Sequence, residues 1–139
     1  KIWFEKARIA GEISVKGNKG YPPHMNTLVR IYLDSGMPLE ALDMAENLVF
    51  YQKFKSEVYE LLAKSYIDAA AYYENNGDVD KAKELLAKCV AIDNNPHLRR
   101  SIATKASEVN SPEVIARYKH SERLSEYLME AEENLKRLK

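Results

Sequence analysis

The stretch 57–93, EVYELLAKSYIDAAAYYENNGDVDKAKELLAKCVAID, constrains the fold more than any other. Tyr59, Leu62, Ala63 and Tyr66 fall at i, i+3, i+4 and i+7, one apolar stripe of a 3.6-residue helix. Val79, Ala82, Leu86, Cys89, Val90 and Ile92 form a second stripe. Asn76-Gly77-Asp78 lies between them. Gly77 can take the left-handed conformation that ends a helix, and Asp78 can cap the next one. The pattern predicts two antiparallel helices, the first continuous from Ser56 to Asn75 because Ala69, Ala70 and Tyr73 prolong its apolar face.

The same spacing occurs upstream. Met25, Leu28, Val29 and Tyr32 repeat the offsets of Tyr59 to Tyr66. Pro22-Pro23 suits the first turn of that helix, Gly36 ends it, and Pro38 opens a partner carrying Ala41, Ala45 and Leu48. Gly36 and Gly77 are 41 residues apart, as are Ala41 and Ala82, and Tyr32 and Tyr73; Ala7, Leu48 and Cys89 continue the interval. Self-similarity at a fixed offset is the mark of a repeat architecture.

Tyr59-x-x-Leu62-Ala63-x-x-Tyr66 followed by Ala82-x-x-x-Leu86 resembles the tetratricopeptide repeat (TPR). Tyr59 stands where the family prefers Trp, Ala63 where it prefers Gly, and Leu86 where it prefers Phe. Tyr32 to Ala41 keeps the family's offset of nine, whereas Tyr66 to Ala82 is sixteen, an insertion of seven residues. Seven residues are about two helical turns and rotate the face by only ~20°, so the longer helix keeps its apolar side. The resemblance covers about residues 1–95. It implies an all-α fold of antiparallel helix pairs in a right-handed superhelix: a half repeat at 1–13, a repeat at 22–52, an extended repeat at 56–93 and capping helices over 96–139.

Residues 1–13 resemble the second helix of a repeat, with Phe4 and Ala7 in the packing places, and 14–21, SVKGNKGY, read as a loop. Asn94-Asn95-Pro96 breaks the chain before a helix over about 97–109. Ser111-Pro112-Glu113 is a start signal for a last helix over 112–138. Leu124, Leu128, Ala131, Leu135 and Leu138 give that helix a short heptad stripe. The stripe is expected to cap the open end of the stack; a homodimer seam is the alternative. About seven helices are expected in all.

The chain holds 21 Lys and Arg against 21 Asp and Glu, a net charge of zero, which argues against a general polyanion binder. The group Arg99, Arg100, Lys105, Arg117, Lys119 and Arg123 is diluted by Glu108, Glu113 and Glu122 and reads as a solvated rim. A single cysteine, Cys89, forbids an intrachain disulfide and reads as a small core residue. His24, His97 and His120 are scattered. No metal-ligand pair, phosphate loop or nucleophile elbow occurs, so no enzyme activity, cofactor or metal site is expected. No apolar run approaches the ~20 residues of a membrane span. The chain begins at Lys1 and reads as a domain excised from a larger protein.

TPR first helices line a concave groove that takes peptides or helices. The resemblance places Asn26, Arg30, Leu33 and Asp34, then Glu60, Lys64, Ile67 and Asp68, on that groove, with Ala71 and Asn75 added by the extended turns. The implied function is a scaffold that binds a peptide or helix of mixed charge. A narrower resemblance rests on Val58-Tyr59-Glu60-Leu61-Leu62-Ala63-Lys64-Ser65-Tyr66, the alanine-rich helix, and Gly77-Asp78 with Lys81-Ala82. These are similar to the soluble TPR tails of some bacterial O-antigen ligase or polymerase membrane proteins. It implies an extracytoplasmic accessory domain of a cell-envelope polysaccharide enzyme, with catalysis elsewhere. An oligomerisation module acting through helix 112–138 is the remaining alternative.

Overall fold

A computed structural model of the chain describes residues 2–17, 20–99 and 122–138. These contain six α-helices, α1 (Ile2–Gly17), α2 (Pro22–Asp34), α3 (Pro38–Tyr51), α4 (Glu57–Asn75), α5 (Val79–Val90) and α6 (Glu122–Leu138), and no strand. A 3₁₀ turn, Ala91–Asn94, follows α5, and residues 96–99 are again helical. Residues 97–99 open the helix expected over 97–109; its remainder, 100–109, and the Ser111-Pro112 start signal lie outside the described residues.

Local backbone chemistry sets the boundaries. Prolines occupy the first turns of α2 and α3. Gly36 and Gly77 stand at φ 71° and 85°, the left-handed region an L side chain resists. After each glycine the chain closes the same turn: Met37 N–H donates to the Tyr32 carbonyl and Asp78 N–H to the Tyr73 carbonyl, both at 2.9 Å. The Asp78 carboxylate accepts from Lys81 N–H at 3.1 Å and caps α5. α4 runs unbroken for 19 residues against 13 in α2, so the inserted residues lengthen the helix instead of looping out.

Consecutive helices pack side by side and alternate in direction. The nine residues expected in the core, Leu28, Tyr32, Ala41, Leu62, Ala63, Tyr66, Ala82, Leu86 and Cys89, are all buried. α4 touches α2, α3, α5 and α6 and buries ten of its residues, which makes it the centre of the molecule. Ala63 and Ala82 have no exposed surface, and Cys89 Sγ donates to the Ala63 carbonyl at 3.6 Å, so small side chains let α4 and α5 approach closely.

Three expectations are corrected. α1 does not stop at residue 13: Ser14 Oγ bonds the Ala10 carbonyl at 3.0 Å and Val15 packs on the core, so 14–17 continue the helix. Phe4 is exposed, because the first turn of α1 has a neighbour on one side only. Val79 is exposed as well; it opens α5 at the free end of the helix pair, while Leu85 is buried in its place. α1 is tied to α2 by a polar link: Tyr32 Oη donates to Glu12 Oε2 at 2.6 Å, and Arg8 holds Glu12 Oε1 at 2.8 Å.

α6 returns to the stack as a lid. Leu124 and Ala131 are buried, and Leu128, Leu135 and Leu138 pack half-buried on the core, so this chain's own core takes up the heptad stripe. Near its start α6 places Arg123 beside Glu60, and at its end Arg137 makes a two-pronged pair with Glu74, at 2.7 and 2.9 Å. α6 therefore runs in the same direction as α4. Hydrogen bonding to Arg137 holds the Glu74 carboxyl below its ordinary value, and Glu74 in turn raises Arg137.

Candidate functional site

α2, α4 and α6 share one side of the molecule. On α2, Met25, Leu28, Val29 and Tyr32 turn inward, which leaves Asn26, Arg30 and Asp34 on the opposite side of the helix and Leu33 at its edge. On α4 the inward residues Val58, Tyr59, Leu62, Ala63 and Tyr66 leave Glu60 and Lys64 half-exposed. α6 closes the third side. The three helices enclose a pocket of about 220 Å³ lined by Arg30, Leu33, Asp34, Glu60, Leu61, Lys64, Arg123 and Tyr127.

Polar contacts hold the walls in place. Arg30 Nε donates to Asn26 Oδ1 at 3.0 Å, one turn back on α2, which orients the guanidinium along the helix. Lys64 pairs with Asp68 at 3.0 Å, one turn forward on α4. Burial pulls the Lys64 ammonium down, but the Asp68 carboxylate, with Tyr127 and Glu130 of α6, outweighs it and raises Lys64 above its ordinary value. Lys64 is therefore a firm cation at neutral pH. The lining carries three cations, Arg30, Lys64 and Arg123, two carboxylates, Asp34 and Glu60, and the apolar surface of Leu33, Leu61 and the Tyr127 ring.

Five of the groove residues that the resemblance implies meet here: Arg30, Leu33, Asp34, Glu60 and Lys64. Asp68 acts only through Lys64. Asn26, besides orienting Arg30, lines a separate cleft with Pro22, Pro23, Gln52, Lys55, Glu57 and Val58. Ala71 and Asn75 are exposed, farther along α4. Ile67 is corrected: it is buried in the core, because α4 has neighbours on four sides and its apolar face is wider than the repeat spacing implies. Arg123, expected on a solvated rim, lines the pocket instead, and so does Tyr127, to which the sequence assigned no place. Their signal was present: each precedes a leucine of the α6 stripe, Leu124 and Leu128, so both flank the buried face of that helix.

Among the described residues no group of three or more His, Cys, Asp or Glu side chains is placed to hold a metal ion. The Cys89 thiol is buried, which pushes its pKa up to about 12, and the Glu130 carboxylate adds to the shift. A thiol so placed is an inert core group. His24 and His97 lie edge-on to Tyr21 and Phe54, at centroid distances of 4.6 and 5.2 Å, and His120 lies outside the described residues. No described helix is long and apolar enough to cross a membrane.

Comparison with protein-family models, curated proteins and solved structures returned no match.

Proposed function

We propose that the chain is a TPR-like partner-binding module, an accessory domain that takes a peptide or helix of mixed charge in the groove between α2, α4 and α6. The observation that carries this reading is the convergence of Arg30, Asp34, Glu60, Lys64 and Arg123 around Leu33, Leu61 and Tyr127, from three helices that repeat one orientation. An apolar floor ringed by charges of both signs suits a short amphipathic segment, in which one or two side chains seat on the floor and flanking charges set the register. The buried tyrosines and alanines account for the stack and leave these residues free for recognition.

A photo-crosslinking residue at Leu33 or at Glu60 should capture the partner, whereas one at the outward Asp43 of α3 should not. Against the captured partner, Arg30→Ala and Lys64→Ala are each expected to weaken binding by ~1–3 kcal/mol with little loss of fold stability. Unchanged binding in both variants, with binding lost on changing the outward residues Glu126 and Met129 of α6, would refute the groove and assign recognition to that helix.

A further inference from the structure

A second surface, away from the groove, carries its own chemistry. Because neighbouring helices alternate in direction, the end of α1, the start of α2, the end of α3 and the start of α4 share one edge of the molecule. Large apolar side chains stand out from that edge. Phe50 is 75% exposed, Tyr51 52%, Phe54 47% and Tyr21 46%, and the last turns of α1 add Ile13 at 65%. The rings are held outward. Phe50 meets Tyr51 edge-on at 5.3 Å, and the Tyr51 ring lies so close to the Gly20 backbone that a Cβ there would sit 3.0 Å from it. Phe54 is braced edge-on by His97, and the Lys53 ammonium lies 5.7 Å from its centroid.

The charge of the turn itself is one-sided. Residues 50–56, FYQKFKS, hold Lys53 and Lys55 and no carboxylate, and Lys16 is exposed at the end of α1. Nearby carboxylates are Glu46, one turn before Phe50 on α3, Glu57, at the start of α4, and Asp93, which pairs with Arg99 at 3.4 Å. At the other end of the stack the carboxylates of the turns 34–40 and 74–80 are matched by cations: Arg137 pairs with Glu74, Arg8 lines a cleft with Asp34, and Lys81 follows Asp80. Residues 50–56 are thus an exposed aromatic turn whose own two charges are both positive.

We propose that the edge formed by Phe50, Tyr51 and Phe54 with Lys53 and Lys55 docks peripherally onto an anionic membrane surface. Exposed aromatics and lysines on helix ends suit an interface, where rings sit among headgroups and lysine stems lie along the apolar boundary with their ammonium groups on acidic lipid. A protruding edge meets a flat bilayer readily, and the neighbouring cleft lined by Pro22, Pro23, Asn26, Gln52, Lys55, Glu57 and Val58 takes in none of the rings Phe50, Tyr51 and Phe54. Single-stranded nucleic acid needs a groove with cations along the strand, and this turn has two lysines at its tip.

The test is flotation of the 139-residue chain with vesicles of phosphatidylglycerol and phosphatidylcholine, compared with phosphatidylcholine alone. Binding to the anionic vesicles only, weakened by salt, is expected. Lys53→Gln and Lys55→Gln should each lower partitioning about fivefold, from ~1 kcal/mol per lysine near the surface. Phe50→Ser with Phe54→Ser should abolish flotation while circular dichroism stays unchanged, since both rings are exposed. A Phe50→Trp, Trp3→Phe variant should be quenched by brominated lipid. The parent should not be, because Trp3 opens α1 at the other end of that helix. Three results would overturn the proposal: no flotation; flotation that depends on the lysines while the Phe50→Trp variant stays unquenched; or binding of oligodeoxythymidine in fluorescence anisotropy with no binding of vesicles.

Discussion

Gly11 sits in the interior of α1, where propensity alone argues for alanine: Gly11→Ala would gain ~0.8–1.0 kcal/mol of helix stability. Packing argues the other way. A Cβ at Gly11 would lie 3.0 Å from Leu28 Cδ1, with Ile31 Cδ1 at 3.6 Å and Leu28 Cβ at 3.9 Å. Leu28 is almost wholly buried and has little room to swing its methyl aside. Overpacking of this kind costs ~1–3 kcal/mol, so the contact should win and Gly11→Ala should destabilise by about 0–2 kcal/mol net. Gly17 is the internal control. Nothing lies within 4 Å of its added Cβ, so Gly17→Ala should be neutral or gain up to about 1 kcal/mol. The two variants should differ by about 1–3 kcal/mol in urea unfolding, a few degrees in Tm for a chain of this size. α1 touches α2 alone among its large contacts, so amide exchange should be followed in α1 as well as globally, to catch a helix that loosens before the rest. If Gly11→Ala stabilised as much as Gly17→Ala by both measures, the close approach of α1 and α2 would be refuted.

Ala82→Leu should overpack the α4–α5 contact and cost ~1–3 kcal/mol in urea; a neutral result would place Ala82 on the surface. Leu128→Glu should lower stability by loosening α6 from the core, whereas an unchanged stability with a halved mass by light scattering would make the stripe a dimer seam. Stability should fall at alkaline pH. Burial raises Tyr66 to about 12, with Glu46 adding to it, and burial likewise raises Tyr59. Each folded phenol therefore keeps its proton when its unfolded counterpart, near pKa ~10, has lost it. That contribution is complete below pH ~10 and declines from there until the folded Tyr66 ionises near 12. Tyr66→Phe should flatten this decline in pH-dependent urea titrations, and an unaltered slope would count against a buried, neutral Tyr66.

Much of the helical plan was legible because it is written in local chemistry. Gly36 and Gly77 need no tertiary information to end a helix, and Pro22, Pro38 and Asp78 need none to start one. The periodicity of Leu28, Tyr32, Leu62, Ala63, Tyr66, Ala82 and Leu86 names the inward face directly. What periodicity does not carry is how many neighbours a helix has. α4 has four, so Ile67, which the resemblance puts on the open groove, is covered. It is equally silent on contacts across long separations: Arg123 and Tyr127 reach the groove only because α6 returns to lie along α4. The end of α1 was misread for the opposite reason. Lys16 and Gly17 have the composition of a loop, but a helix tolerates one glycine in its last turn at a cost below that of unpacking Val15.

Cys89 turns the central junction into its own clock. Its sulfur lies against the Ala63 carbonyl between α4 and α5, with Glu130 of α6 close enough to act on it, and it is the one thiol in the chain. A maleimide or disulfide reagent can reach it only when those three helices part. The labelling rate of the unmodified protein therefore counts separations of α4, α5 and α6 and ignores fraying of α1. A peptide seated in the groove, bridging α4 and α6, would slow that rate in proportion to how firmly it holds the two together, so occupancy could be timed at a residue the peptide never touches.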